Sequence, residues 1–432
     1  MERLMQYVWQ HRLWLAPDMR TVDGRVVQVI DPGLLNTDAG PDFFNAKIRI
    51  DGRTWVGNVE IHVRASDWFR HHHDSDPAYD SVILHVVDRD DMPVRRRGSS
   101  SEIIPQLIMP CAPDFADRYA AMINHPASEL ACADRLASIP PIYVNDWISA
   151  LAYERVYEKS DRALSLHSRF TGDWEETCYV TLARALGFGI NADAFQRLAL
   201  SLPLRALRKH SDSLPALEAI LFGQAGLLDS LTDLSHPYLS RLVTDYRFYA
   251  AKFGLQQPQS LGWKMSRMRP QNFPHRRIAL LAAMLHGGFR LMSRLLAVTT
   301  PDEAAALFSA GLSGFWHEHY TFSGAPVSAP ASLSRASIHL LVINVVVPLL
   351  HAYGQSTGSD THVARAFSIL QALAPERNSI VALFSRAGIP CPDAFTSQAL
   401  LRLRRSYCET RKCLYCRLGH RILASQARRS SR

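Results

Sequence analysis

The chain has 432 residues, of which 47% are hydrophobic and 20% charged, with seven cysteines and a formal net charge of +8. That length allows two or three domains and a large core, the composition is ordinary for a soluble globular protein, and the cysteine pattern does not match a secreted disulfide framework. Glu2, Arg3, His11 and Arg12 interrupt the N-terminal apolar residues, so no signal peptide is expected, and the longest apolar run, Leu340 to Leu350, contains Pro348 and is too short to span a bilayer. A cytoplasmic protein without a membrane contact is expected.

Taken in order, Leu4, Val8, Leu13 and Leu15 predict an amphipathic helix over residues 1–15. Asp23-Gly24 turns into a strand from Val26 to Ile30, which Pro32-Gly33 ends. Two alternating runs then flank the turn dipeptide Asp51-Gly52, a hairpin signal. Ala46, Ile48 and Ile50 form the buried row of the first strand, and Val59, Ile61 and Val63 that of the second. Ala65 to Arg70 reads as a short helix with Ser66 as its cap, and Val82 to Val87 as the next strand. The order is αβββαβ.

Arg95 to Ser101 is a polar loop, Ile103 to Met109 adds one more strand, and Pro110 with Pro113 marks a boundary. The expected domains are therefore 1–110, an α/β core, and 111–432, a mostly helical domain with a Cys-rich, basic end. Helices are expected over Asp146–Leu166, Asp173–Leu186, Pro237–Phe253, Arg276–Val298, Pro301–Leu312, Ser337–Tyr353, Thr361–Leu373 and Thr396–Arg405.

The residues that carry chemistry crowd around the hairpin. Asp42 stands at the mouth of one strand and Glu60 with His62 on its neighbour, an arrangement able to hold a hard divalent cation such as Mg²⁺ or Mn²⁺. The plainer alternative makes Asp42 a turn residue and Glu60 with His62 a solvated strand face. His71-His72-His73-Asp74 is metal-like in type, but His71 and His73 share a face only if the segment is extended. Asp67 reads equally well as a ligand or a helix start. His85 lies on the side of Ile83 and Val87 and reads as a core histidine.

At the other end, Cys408-x4-Cys413-x2-Cys416 gives the short bite that presents two thiolates to one metal, Zn²⁺ or an iron–sulfur cluster. Cys132, Cys391 and His420 are candidates for the fourth ligand. Residues 402–432 hold ten Arg or Lys against one acid, Glu409. Arg402, Arg404, Arg405, Arg411, Lys412, Arg417 and Arg421, continued by Arg428 and Arg429, read as a phosphate-binding surface; alternatively, Arg428 to Arg432 is only a solvated tail. Lys264, Arg267, Arg269, Arg276 and Arg277 form a second basic cluster, and His317-x-His319 reads as packing.

Several stretches resemble a bacterial family known only as domain-of-unknown-function family 2851. They are Asn36 to Phe43, Gly57 to His62, Ser66-Asp67-Trp68, Gly223 to Leu228, Arg269 to Pro274, Ile343-Asn344 with Pro348, Tyr407-Cys408 and Lys412 to Cys416. The likeness runs along essentially the whole chain and implies no activity. More loosely, Pro41-Asp42 followed by Glu60-Ile61-His62 resembles the PD-(D/E)XK nuclease superfamily. That resemblance implies an α+β fold with a restriction-endonuclease-like core, acids that bind Mg²⁺, and a lysine two residues after the second acid. Here His62 stands at that lysine's place, and Lys47 on the adjacent strand is the candidate to supply its charge. Some nucleases of this superfamily join one distant cysteine to a C-terminal trio around a [4Fe–4S] cluster, a part that Cys132 would take here.

Two functions are thus carried forward. The first is a metal-dependent nucleic-acid phosphodiesterase using Asp42 and Glu60 as metal ligands, helped by His62 or Lys47. The second is a non-catalytic nucleic-acid- or partner-binding protein with a degenerate nuclease-like core.

Overall fold

The computed structural model describes residues 1–14, 19–98, 102–109, 113–126, 129–312 and 314–427. Leu15, Ser99 to Ser101, Pro110, Arg428 and Arg429, all used in the expectations above, lie outside the described residues. The chain packs as two units, one of Met1–Trp147, Arg386–Ile389 and Leu403–Arg432, the other of Ile148–Ser385 and Pro390–Arg402. The boundary by packing thus falls later than residue 110, and the Cys-rich end belongs with the N-terminal sheet. Together they make a mixed α+β fold, with one sheet and many helices.

In the first unit, helix α1 (Glu2–Gln10) precedes a sheet of β1 (Met19–Arg20), β2 (Val26–Asp31), β3 (Leu34–Leu35), β4 (Phe43–Ile50) and β5 (Arg53–Arg64). After helix α2 (Asp67–Arg70) come β6 (Val82–Arg89) and β7 (Gln106–Ile108). The strand order is β1-β2-β4-β5-β6-β7, with β3 beside β4. β2, β4 and β5 run antiparallel, whereas β6 pairs in parallel with β5, and β7 with β6. The β4–β5 turn has φ of 45° at Asp51 and 79° at Gly52, the doubly left-handed two-residue turn that matches strand twist and selects Asp-Gly.

Alternation decides the two faces of this sheet. Phe43, Ala46, Ile48 and Ile50 of β4, with Val59 and Ile61 of β5, are buried against Leu4, Val8 and Trp9 of α1. Each fully buried Phe, Val or Ile among them contributes about 1.5–3 kcal/mol, which is why this register is fixed and the opposite face is left to Glu60 and His62. That opposite face is covered by a second cluster in which Trp68, Tyr79, Val82 and Val87 are buried. Gly57 allows β6 to come this close, because a Cβ there would lie 2.4 Å from Ile83 Cγ2 and 2.7 Å from the Ser81 carbonyl oxygen.

The second unit is helical among its described residues apart from one isolated bridge, Gly311 to Ser332. The expected helix Arg276–Val298 is two, Pro274–Leu285 and Leu291–Ala297. Gly287 and Gly288 at φ of 79° and 94° break it between. The run around Leu340 extends further than expected: a continuous helix of 23 residues covers Arg335–Thr357, and its most apolar 18-residue window has a mean hydropathy of 1.7. A π turn at Val342–Val346 carries it past Pro348 by accommodating the missing N–H. That helix is long and apolar enough to cross a membrane, but 61% of its apolar window is buried inside the protein, as in a core helix.

The second basic cluster is partly structural. Arg276 and Arg277 are buried; Arg276 donates to the carbonyls of Trp316, His319 and Pro330, and Arg277 lies 4.3 Å from the Phe188 ring centre. His317 and His319 bond the carbonyls of Leu312 and Phe315, the packing role expected of them.

Candidate metal centre

The pairing of Phe43 with Val59 brings Asp42, just before β4, beside Glu60. The two exchange contacts: the Asp42 N–H donates to Glu60 Oε2 at 3.0 Å, and the Ile61 N–H donates to Asp42 Oδ2 at 3.1 Å. Gln6 of α1 donates its Nε2 to Asp42 Oδ1 at 2.8 Å. Asp42 and Glu60 are therefore neighbours on adjacent strands, and each carboxyl is oriented by backbone or amide donors.

Glu60 and His62 are not on a solvated face; they are 4% and 1% exposed. Glu60 Oε1 lies 3.3 Å from His62 Nε2 and 3.2 Å from His73 Nε2. His71 Nδ1 is 3.2 Å from His62 Nε2, and His62 Nδ1 is 2.9 Å from His85 Nε2. His85 is thus buried as expected, but it is a partner of the site rather than mere core. The ligand atoms of His62, His71 and His73 all lie within 4.8 Å of one another.

This convergence does not need an extended segment. The backbone N–H groups of His71, His72 and His73 all bond back to α2, on the carbonyls of Asp67, Phe69 and Trp68. His72 turns left-handed at φ 62°, so its two neighbours face the same place. The Tyr79 ring stacks on His73 with centres 3.7 Å apart, and Trp68 packs edge-on against His73 and His85.

Burial sets the protonation of the site. It raises the Glu60 carboxyl to about 8, and raises Asp42 to about 7 with the neighbouring Glu60 adding to the shift. Burial, then the neighbouring His85, lowers His62 to about 2; His85 falls to about 3 and His73 is also lowered. Without a cation, burial thus favours the uncharged forms of Glu60, His62, His73 and His85, and neutral imidazoles keep the lone pairs a metal needs.

Burial lowers the His62 pKa further below neutrality, so it does not bring the positive charge of the lysine it replaces. Lys47 does not bring it either: it sits opposite Val56, four residues along β5 from Glu60, a separation of roughly 13 Å at strand spacing. Asp67 holds the helix start, accepting from the Arg64 N–H at 3.1 Å and pairing with Arg70 at 3.0 Å.

The four expected cysteines do meet. Cys132, Cys408, Cys413 and Cys416 line one cavity of about 40 Å³, and none of them is in a disulfide. Cys416 immediately precedes the helix Arg417–Ala427, and the backbone N–H groups of Leu418 and Gly419 hydrogen-bond to it. Such donors and the helix N-terminus favour a thiolate. Burial raises all four thiols, Cys132 to about 12, so only a bound cation makes them thiolates at neutral pH. Cys391 belongs to the other unit and its Sγ faces the Asp393 carbonyl. His420 bonds the Tyr7 hydroxyl at 2.5 Å, beside a separate cavity of about 450 Å³ that includes His11, Arg417 and Arg421.

The basic residues are less available than the sequence suggests. Arg402 pairs with Glu154 and Glu158, Arg404 is buried against Glu409, and Arg417 pairs with Asp146. Arg421 lies 3.1 Å from the Tyr143 ring centre. Arg405, Arg411 and Lys412 are exposed.

No curated protein and no solved structure matches the chain. The family described as protein of unknown function (DUF2851) matches residues 2–379, so the chain belongs to that family.

Proposed function

We propose that the protein is a metal-dependent phosphodiesterase that cleaves nucleic acid. The observation that carries this reading is the convergence of Asp42, Glu60, His62 and His73 on one face of the sheet. The order α1-β2-β4-β5-α2-β6, with β6 parallel to β5 and the acids at the second and third of these strands, favours a restriction-endonuclease-like core.

The carboxylate and imidazole donors fit a divalent cation, which when bound would act as a Lewis acid on the phosphoryl oxygen and lower the pKa of its water. The chain's own part is positioning. Gln6 and the Ile61 N–H fix Asp42; the Asp42 N–H turns Glu60 so that Oε1 faces the histidines; His85 holds His62 by Nδ1. Trp68 and Tyr79 close the flank against water, and His71 lies at the exposed side of the site. A polyanionic substrate is favoured by Arg70, whose charge acts on His62, and by exposed Arg405, Arg411 and Lys412 in the same unit.

We assign the four-cysteine cavity a structural metal. A single Zn²⁺ with Zn–S near 2.3 Å draws sulfurs to about 3.8 Å apart. A four-thiolate set of this kind suits Zn²⁺ or an iron–sulfur cluster.

The binding-module alternative is favoured by one observation: both Asp42 oxygens already accept protein hydrogen bonds, and His62 is uncharged. The deciding assay is hydrolysis of single- and double-stranded DNA and RNA with Mg²⁺, Mn²⁺ or Zn²⁺. Glu60→Gln and His73→Gln should each abolish cleavage with the fold intact, and the double variant should lose no more. A wild type inactive under every condition would leave the binding module.

A further inference from the structure

We infer that the site binds a first-row transition-metal ion through Glu60, His62, His71 and His73, and that Asp42 is an orienting residue rather than a ligand. This deepens the reading above, and rests on it only for the chemistry the ion would serve.

Four atoms define the position: Glu60 Oε1, His62 Nε2, His73 Nε2 and His71 Nδ1. Ligand atoms about 2.1 Å from one ion, at tetrahedral or octahedral angles, lie roughly 3.0–3.4 Å apart. The edges Glu60–His62, Glu60–His73 and His62–His71 measure 3.3, 3.2 and 3.2 Å. Three of the edges that an ion would impose are thus already formed, and the ligand atoms of the three imidazoles lie within 4.8 Å of one another.

The surrounding contacts are those a metal site needs. His62 is held through its other nitrogen, Nδ1, by His85 at 2.9 Å. Glu60 spends Oε2 on the Asp42 N–H at 3.0 Å, which leaves Oε1 toward the ion. His73 is fixed by the stacked Tyr79 ring. Glu60 and His62 are buried while His71 is exposed, which gives an entry path at the His71 side.

Three imidazole nitrogens and one carboxylate oxygen suit Zn²⁺, Co²⁺, Mn²⁺ or Fe²⁺; Mg²⁺ and Ca²⁺ prefer all-oxygen shells. Asp42 stands apart from the set, since Gln6 and Ile61 bond one oxygen each.

The test is a Co²⁺ titration of the full-length, chelator-treated protein, followed by visible d–d absorption. Co²⁺ on the cysteines adds sulfur charge-transfer bands, so a Cys408→Ser/Cys413→Ser background isolates the histidine site. One equivalent should bind without those bands, be displaced by Zn²⁺ and resist excess Mg²⁺. Glu60→Gln and His73→Gln should each weaken binding by at least about a hundredfold, whereas Asp42→Asn should stay within about tenfold, with circular dichroism confirming the fold of each. Absence of Co²⁺ binding, or an Asp42→Asn loss as large as that of Glu60→Gln, overturns the assignment. Binding as described in a protein that cleaves no nucleic acid would sustain the metal site and overturn only the phosphodiesterase reading.

Discussion

Gly419 gives the sharpest test of how the cysteine cavity is built. It lies in the first turn of the helix Arg417–Ala427, one residue of which lines the cavity with the four thiols. On propensity alone Gly419→Ala should stabilise, since alanine is favoured over glycine in helices by about 0.5–1 kcal/mol. The structure argues the reverse. A Cβ at 419 would lie 2.2 Å from the Cys413 carbonyl oxygen, 3.0 Å from its carbon and 3.3 Å from its Cα. Reaching ordinary contact requires the backbone at Cys413 to retreat by about 1 Å. Overpacking of this kind costs about 1–3 kcal/mol, so the net expectation is a loss of roughly 1–2 kcal/mol. Because the displaced residue is a proposed ligand, metal retention should fall with stability. Urea unfolding of wild type and variant, with elemental analysis of both, measures the two effects. A variant as stable as wild type or more so, with its metal unchanged, would refute the packing argument.

Other consequences can be checked separately. Cys413→Ser and Cys416→Ser should each lower stability and metal content together, because thiolate ligation contributes directly to folding; iron with inorganic sulfide, or zinc, in the native protein identifies the group, and neither metal would contradict the assignment. Burial raises Glu218 from 4.5 to about 7 against hydrogen bonds from Tyr238 and Trp316. The folded state then holds the proton more tightly than the unfolded chain, so this residue makes stability fall as pH rises from about 4.5 to 7. Glu218→Gln should therefore gain on wild type across that window by on the order of 2–3 kcal/mol, and parallel stability–pH curves would contradict the shift. Nucleic-acid binding, with Arg405, Arg411 and Lys412 as the exposed cations, should show a log K against log salt slope of about −3, and replacing all three by alanine should flatten it. A slope of about −6 would mean that the paired arginines also reach phosphate.

Much of the fold was legible because it follows local rules. The Asp51-Gly52 turn dictates the hairpin, and alternation in β4 and β5 assigns their core face to Ala46, Ile48, Ile50, Val59 and Ile61. Cys132 and the C-terminal trio could be listed together, since thiols are few. The centre itself was only half visible. Asp42 and Glu60 were readable from the hairpin, but His71 and His73 meet Glu60 only through the left-handed His72, a backbone state that no spacing rule announces. The burial of Glu60 and His62 was equally hidden, because Trp68 and Tyr79 arrive from outside the strand pattern. Lys47 is the opposite case: its place on the adjacent strand suggests a partner for the site, and its distance along the strand sets it apart. Pairing of Arg402 and Arg417 with Glu158 and Asp146 joins residues far apart in sequence, which composition cannot report.

The most direct test of the central claim is crystallographic. Crystals of the intact protein soaked in Zn²⁺ or Mn²⁺ should be measured on both sides of the metal's absorption edge. The account predicts an anomalous peak about 2.0–2.3 Å from Glu60 Oε1, His62 Nε2, His71 Nδ1 and His73 Nε2, on the face covered by Trp68 and Tyr79. No peak at that position, or a peak that touches Asp42 and none of the three imidazoles, would contradict it.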